Sequence, residues 1–224
     1  MKNILRISGV IILVILIHSF KKDVDNTIKD IDGNVYTSIT IGTQVWMVEN
    51  LKTTKYRNGD LIRTTFPATL DISLESTPKY QWAYDGDESN VNTYGRLYTW
   101  YAVTDTRNVC PTGWHVPSDA DWSTLTTFLG GENVAGGKLK EASTIHWQEP
   151  NEGATNSSRF TALPGGYCKY DGSFYHFGSN GYWWSSTEDS TFSAYYRYIV
   201  CDYSVVARYH SSKRYGFSVR CLRD

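Results

Sequence analysis

The sequence predicts a single compact α+β domain with two main short helices and antiparallel strands, and three features point there. Aromatic residues make up 15% of the 224 positions, with 17 Tyr and 8 Trp against 2 Met. Such rings pack better on a pleated sheet than on a crowded helix. Turn formers divide the stretches Val35–Val48 and Tyr182–Leu222 into short, strand-like runs. Between them, one amphipathic helix is well signalled after Ser118. Charged residues are 20%, hydrophobic residues 41% and the formal net charge is -1. That balance excludes a disordered chain and a polytopic membrane protein. With no broad basic face, nucleic acid is not an expected partner.

The first element is an export segment. Lys2 and Arg6 precede an apolar run from Ile7 to Ile17, interrupted by Ser8 and Gly9. A helix of about eleven residues rises only roughly 16 Å, too short for a hydrocarbon core of about 30 Å. Residues 1–20 therefore read as a secretory signal, and no transmembrane span is expected after its removal. The stretch Leu16–Asp23 lacks a small-x-small cleavage pattern and resembles a bacterial lipoprotein junction with Phe20 in place of the lipid-bearing Cys. Without that thiol there is nothing to acylate, so export is expected while a lipid anchor is doubtful. Residues 21–29 are a polar linker, and the folded domain is expected over 30–224.

Within the domain, Val35–Ile41 and Gln44–Val48 form a predicted hairpin broken at Gly42-Thr43. Residues 52–93 read as irregular, and Leu97, Trp100 and Tyr101 at helical spacing predict a short helix from Tyr94 to Val103. Ser118 can cap the main helix, with Asp121 three residues on completing a capping box. Its apolar stripe is Trp122, Leu125, Phe128 and Leu129, and Gly130-Gly131 ends it. The tail reads as strands at Tyr182–Ser185, Ser193–Cys201, Ser204–Ser211 and Gly216–Leu222.

Cysteine usage agrees with export. Cys110, Cys168, Cys201 and Cys221 show no C-x-x-C spacing, which suits two disulfides in an oxidising compartment better than zinc. Four cysteines allow three pairings, and spacing alone does not choose among them. In the last strand Phe217, Val219 and Cys221 share the more apolar face, so Cys221 should be buried. A nested pairing, Cys110 with Cys221 and Cys168 with Cys201, would tie the segment before the helix to the final strand.

Several ordered motifs resemble one family. They are Ile41–Lys52 (IGTQVWMVENLK), Tyr94–Val103 (YGRLYTWYAV), Cys110–Ser118 (CPTGWHVPS), Leu163–Tyr167 (LPGGY), Tyr182–Glu188 (YWWSSTE) and Gly216–Cys221 (GFSVRC). The chain is thereby similar to the Fibrobacter succinogenes major paralogous domain, found in secreted and surface lipoproteins of Bacteroidetes and Fibrobacteres. The resemblance implies an α+β fold distantly similar to C-type lectin-like and formylglycine-generating-enzyme-like domains, with cysteines nested as above. It implies no settled activity. Phe20 and the additional pair Cys168 and Cys201 depart from the family pattern.

Few motifs carry chemistry. Gly131–Leu139 misses a phosphate loop, because Lys138 is one place late and Leu139 replaces the Ser/Thr that would hold Mg²⁺. Asp85–Asn90 offers clustered oxygens, but Asn90 and Arg96 stand where an EF-hand needs Gly and Glu. Glu149-Pro150-Asn151 matches the tripeptide of mannose-type calcium-dependent lectins, without the Trp-Asn-Asp that supplies further calcium ligands there. Glu149 and Asn151 are therefore sugar or calcium candidates, and no other cofactor is expected. His115, His146, His176 and His210 show no H-x-x-x-H or H-E-x-x-H spacing, and no G-x-S-x-G elbow exists, so no catalytic residue is assigned. The formylglycine-generating resemblance would put reactive cysteines at Cys201 and Cys221, for which disulfide duty is the simpler explanation.

The aromatic surplus remains. Trp183 and Trp184 are neighbours on a strand and face opposite sides, one in the core and the other a candidate for exposure, near Tyr195, Tyr196, Tyr198 and Tyr203 with Arg197 and Arg208 interleaved. Flat rings stack on sugars and anchor protein interfaces. The expected function is a secreted or cell-surface, non-catalytic module binding glycan or a cell-envelope protein through Trp183, Trp184, Tyr196, Tyr198 and Arg197. The alternatives are a structural adhesin or fimbria-associated subunit making only protein contacts and, further off, a copper/thiol oxidase or a hydrolase.

Overall fold

The computed structural model describes residues 27–224; the export segment lies outside the described residues. The chain opens on β1 (Ile28–Lys29), antiparallel to β2 (Val35–Tyr36). Asp30 organises the turn between them, accepting hydrogen bonds from the Asp32 and Asn34 amides and from the Tyr36 hydroxyl at 2.6 Å. The folded body thus takes in the last residues of the segment read as a linker. The expected hairpin follows as β3 (Ser38–Ile41) and β4 (Gln44–Met47). Gly42 turns it at φ +61°, where a Cβ would meet the Phe128 ring at 2.9 Å.

After a long loop come β5 (Gln81–Trp82), one turn of helix α1 (Val91–Tyr94), β6 (Leu97–Thr99) and a second turn α2 (Trp100–Val103). The single helix expected over 94–103 is therefore not formed. Gly95 (φ +74°) lies so close to Asn50 that a Cβ there would come within 2.6 Å of the Asn50 Cβ, and this contact breaks the helix into two turns flanking a strand. Next come β7 (Trp114–His115) and the main helix α3 (Asp119–Phe128). Its capping box is as expected: the Asp121 amide donates to Ser118 Oγ, and the Ser118 amide donates to the Asp121 carboxylate at 2.8 Å. Trp122, Leu125 and Leu129 point inward, whereas Phe128 is exposed over Gly42. A second helix, α4 (Glu132–Leu139), occupies the phosphate-loop near-miss.

The remaining strands are β8 (Gly165–Cys168), β9 (Phe174–Phe177), β10 (Asn180–Glu188), β11 (Ser193–Val200), β12 (Ala207–Ser212), β13 (Gly216–Phe217) and β14 (Leu222–Arg223). The tail expected as one strand over 216–222 is thus two, because it changes sheets. β13 pairs with β6 and β8 in the large sheet, ordered β12-β11-β10-β8-β13-β6-β5 with β9 on β8. β14 inserts between β4 and β7 in the smaller sheet, ordered β3-β4-β14-β7. Mixed strands with few, short helices make this an α+β architecture.

The crossing segment is buried on both sides, with Ser218, Val219, Arg220 and Cys221 all at most 1% exposed. Among the described residues, no carboxylate pairs with Arg220. Its Nε and Nη2 donate to Asn50 Oδ1 at 3.1 and 2.8 Å, Nη1 donates to the Phe160 carbonyl, and the guanidinium lies 4.1 Å from the Phe160 ring centroid. Asn50 Oδ1 also accepts the Trp183 indole N–H at 2.8 Å, while Asn50 Nδ2 donates to the Tyr94 carbonyl.

Cys110 and Cys221 form a disulfide across a separation of 111 residues. Loop entropy assigns such a link up to about 4.8 kcal/mol. The second expected bond is absent: Cys168 and Cys201 are free, buried thiols. Cys168 packs with Trp82 and Leu97, Cys201 with Ile199 and Val206, in separate apolar clusters. Burial pushes the Cys168 thiol up to about 12. The native protein should therefore show no titratable thiol, and two after denaturation without reductant. Replacing Cys110 and Cys221 together by Ser should lower stability by roughly 2–5 kcal/mol in denaturant unfolding.

Candidate functional site

β10 and β11 carry aromatic residues at alternate positions, and their register sets Tyr182 opposite Tyr198 and Trp184 opposite Tyr196. On β12, Tyr209 stands opposite Tyr196, and on the β8–β9 pair Tyr175 stands opposite Tyr167. Residues opposite one another share a face, so one face of the large sheet is paved with tyrosine. The Tyr182 and Tyr198 rings stack at 5.7 Å, and Tyr167 meets Tyr182 edge-on at 5.1 Å. Tyr167 also stacks on Tyr175 at 5.4 Å and on Tyr215 at 5.7 Å. Phe217 and Trp184 form the buried floor, their rings 4.4 Å apart. Tyr167, Tyr196, Tyr198 and Tyr215 are half-buried, while Tyr175 and Tyr209 stand 40% and 58% exposed at its margins.

The hydroxyls decide the chemistry of this face. The Tyr182 hydroxyl is hydrogen-bonded to His176 Nδ1 at 2.7 Å and accepts from Asn180 Nδ2 at 2.9 Å. Among the described residues, the hydroxyls of Tyr167, Tyr175, Tyr196, Tyr198, Tyr209 and Tyr215 have no protein partner. Each can both donate and accept. Burial pushes the phenols of Tyr167, Tyr182 and Tyr215 upward and that of Tyr196 up to about 12, so they stay protonated at neutral pH. An apolar floor fringed by neutral hydroxyls suits a partner with apolar faces and hydroxyl edges.

The sequence candidates fall on both sides of the sheet. Tyr196 and Tyr198 lie on the tyrosine face. Trp184 is its fully buried floor, not an exposed ring, and Trp183 is equally buried on the other side against Trp122. Neither is exposed, because α3 covers the second face and the tyrosines with Phe217 cover the first. Arg197 is also on the α3 side, fully buried. It pairs with Asp119 at 2.6 Å and donates to Ser123 Oγ at 3.2 Å. Arg208 reaches the same carboxylate and stacks on Tyr195 at 3.9 Å. These arginines fasten the start of α3 to the sheet.

The family model of the Fibrobacter succinogenes major domain matches residues 39–223. The chain belongs to this family. Searches of curated proteins and of solved structures find no match. In this Fibrobacter succinogenes major domain the matched span contains both the tyrosine face and the buried Asn50–Trp183–Arg220 node.

The other candidate of the domain, Glu149 with Asn151, does not assemble into a site. Asn151 is buried, and its Nδ2 donates to the Glu141 and Ser143 carbonyls at 2.9 and 2.8 Å, while Glu149 is exposed. Among the described residues, no three His, Cys, Asp or Glu gather as metal donors. A cation already sits beside this loop. Lys140, fully buried, donates through Nζ to the carbonyls of Glu152, Val200 and Tyr203 at 2.8, 3.1 and 3.0 Å, and burial pulls its pKa down to about 8. Sequence reasoning also missed Tyr167, Tyr175, Tyr209 and Tyr215. Alternation places Tyr196 and Tyr198 together, but the others join through strand pairings that span the chain. The buried phenols give a pH signature. A folded pKa of about 12 for Tyr196 against an ordinary value near 10 means the folded state holds its proton longer. Stability present below pH 10 should fall as pH rises toward 12. Absorbance at 295 nm should show a late-titrating tyrosine class that joins the early class on unfolding.

Proposed function

We propose that this protein is an exported, non-catalytic recognition module that binds glycan through its tyrosine face. The observation that carries this reading is the continuous pavement of Tyr167, Tyr175, Tyr182, Tyr196, Tyr198 and Tyr209 above an apolar floor, in which every hydroxyl but that of Tyr182 is unpartnered among the described residues. Sugar rings present C–H faces edged by hydroxyls, which such a surface complements. Export and cell-surface placement are supported by the signal-like residues 1–20 and by the single disulfide, a bond that persists in oxidising compartments. A C-type lectin-like arrangement is part of the proposal, supported by the link between Cys110 and the C-terminal Cys221.

A second reading, a structural subunit making only protein contacts, is favoured by Phe66 and Leu74. These lie 97% and 99% exposed on the loop before β5, where each offers a whole apolar side chain to a partner. A glycan array with the purified protein separates the two. The expected result is retention of a saccharide, weakened about five- to tenfold by Tyr198→Ala or Tyr209→Ala and unaffected by Phe66→Ser. Binding of no saccharide, with capture of an envelope protein that Phe66→Ser abolishes, would replace the glycan reading with the structural one.

A further inference from the structure

The long loop between β4 and β5 brings Arg63 and Lys79, and the segment after α2 brings Arg107, to one cavity apart from the tyrosine face. Tyr56, Leu61, Arg63, Thr77, Lys79 and Arg107 line a space of about 370 Å³, within the range of small-ligand pockets. The two fixed cations rest on Asp105, whose side chain is only 4% exposed. Its Oδ2 accepts from Lys79 Nζ at 2.7 Å and from Arg107 Nη2 at 2.8 Å, and its Oδ1 accepts from Arg107 Nε at 2.8 Å. Hydrogen bonds from Arg107 first, then Lys79, hold the Asp105 carboxyl well below the usual carboxylate range. Asp60 takes Arg107 Nη1 at 3.0 Å, and the guanidinium plane lies 3.9 Å over the Tyr56 ring. Arg107 is therefore held on two edges and one face.

Arg63 is different. Its guanidinium lies 5.1 Å from the Tyr80 ring centroid and makes no ion pair or side-chain hydrogen bond among the described residues. Five N–H donors on a planar fork thus stand unused at the rim. In the wall, the Tyr56 hydroxyl is buried without a hydrogen-bond partner. Burial pushes its phenol up to about 12, so it remains a neutral donor. Three cations against Asp60 and Asp105 leave one positive charge in excess. Glu75 does not line the cavity, and its carboxylate accepts the Tyr80 hydroxyl at 2.9 Å.

We propose that this cavity is a second binding site, for a ligand carrying an oxyanion, with Lys79 and Arg107 as fixed donors and Arg63 as the arm that closes on it. Sulfate ester, phosphate ester and carboxylate share the required chemistry: planar or tetrahedral oxygens that a guanidinium fork can grip with two parallel hydrogen bonds. The site is independent of the tyrosine face and of the glycan reading.

The test is calorimetric titration of the full chain with sodium sulfate, sodium phosphate and sodium acetate in turn, at ionic strength held constant with sodium chloride. Saturable binding of at least one oxyanion is expected, and the preferred ion tells which ligand group the cavity takes. Arg63→Gln should weaken that binding about tenfold, the loss of charge-assisted hydrogen bonds. Arg63 is exposed and makes no ion pair or side-chain hydrogen bond among the described residues, so this variant should unfold at the wild-type denaturant midpoint. Arg159→Gln, at an exposed arginine outside the cavity, should leave binding unchanged. Absence of saturable binding for all three ions would overturn the proposal, as would equal losses in the two variants.

Discussion

The structure depends on keeping one guanidinium dry on neutral partners. Arg220 is fully buried, and desolvation pulls its pKa down to about 9. A bare charge in such a place would be prohibitive. It is tolerable here because Asn50 Oδ1, the Phe160 carbonyl and the faces of two aromatic rings converge on it. Those groups come from the loop after β4, the segment before β8 and the middle of β10, so satisfying one cation fixes three distant stretches of chain. Asn50 extends the constraint by bonding the Tyr94 carbonyl beside Gly95, where only a residue without a side chain fits. The break between α1 and β6 follows from the same node.

The transfer of the C-terminal segment between sheets is the second consequence. Since β13 belongs to the large sheet and β14 to the small one, the residues between them run through the interior, and both of their faces need partners. Ser218 bridges to Trp183, Arg220 turns to Asn50, and Cys221 closes the disulfide to the segment ahead of β7. Breaking any one of these leaves polar or cross-linked groups stranded in the core.

Local features were legible in the sequence, and long-range ones were not. The Ser118–Asp121 capping box needs residues only three apart, and the β3–β4 turn needs one glycine. The helix expected over 94–103 failed on a contact between Gly95 and Asn50, which no window around residue 95 contains. Alternation correctly set Trp183 and Trp184 on opposite faces. What it lacked was the cover: α3 roofs one face and Phe217 with the tyrosines fills the other, so both indoles are core and Arg197 is an internal tie. Apolar alternation at the end of the chain marked Cys221 as buried, and its partner Cys110 is the one a nested order implies. For Cys168 and Cys201 there was no comparable argument, and their separate clusters keep the sulfurs as thiols. The tyrosine face was half legible, through Tyr196 and Tyr198; its remaining rings come from strands whose neighbours in space are distant in sequence.

Lys140 has a consequence for the environment in which this protein can work. Gathering backbone oxygens around a positive centre is a task that many loops hand to a dissolved divalent ion, whose occupancy then follows its concentration outside. Here the centre is covalently part of the chain and cannot diffuse away. The turn at Glu152 and the bend after β11 therefore keep their shape alike in hard water, in soft water and in the presence of a chelator.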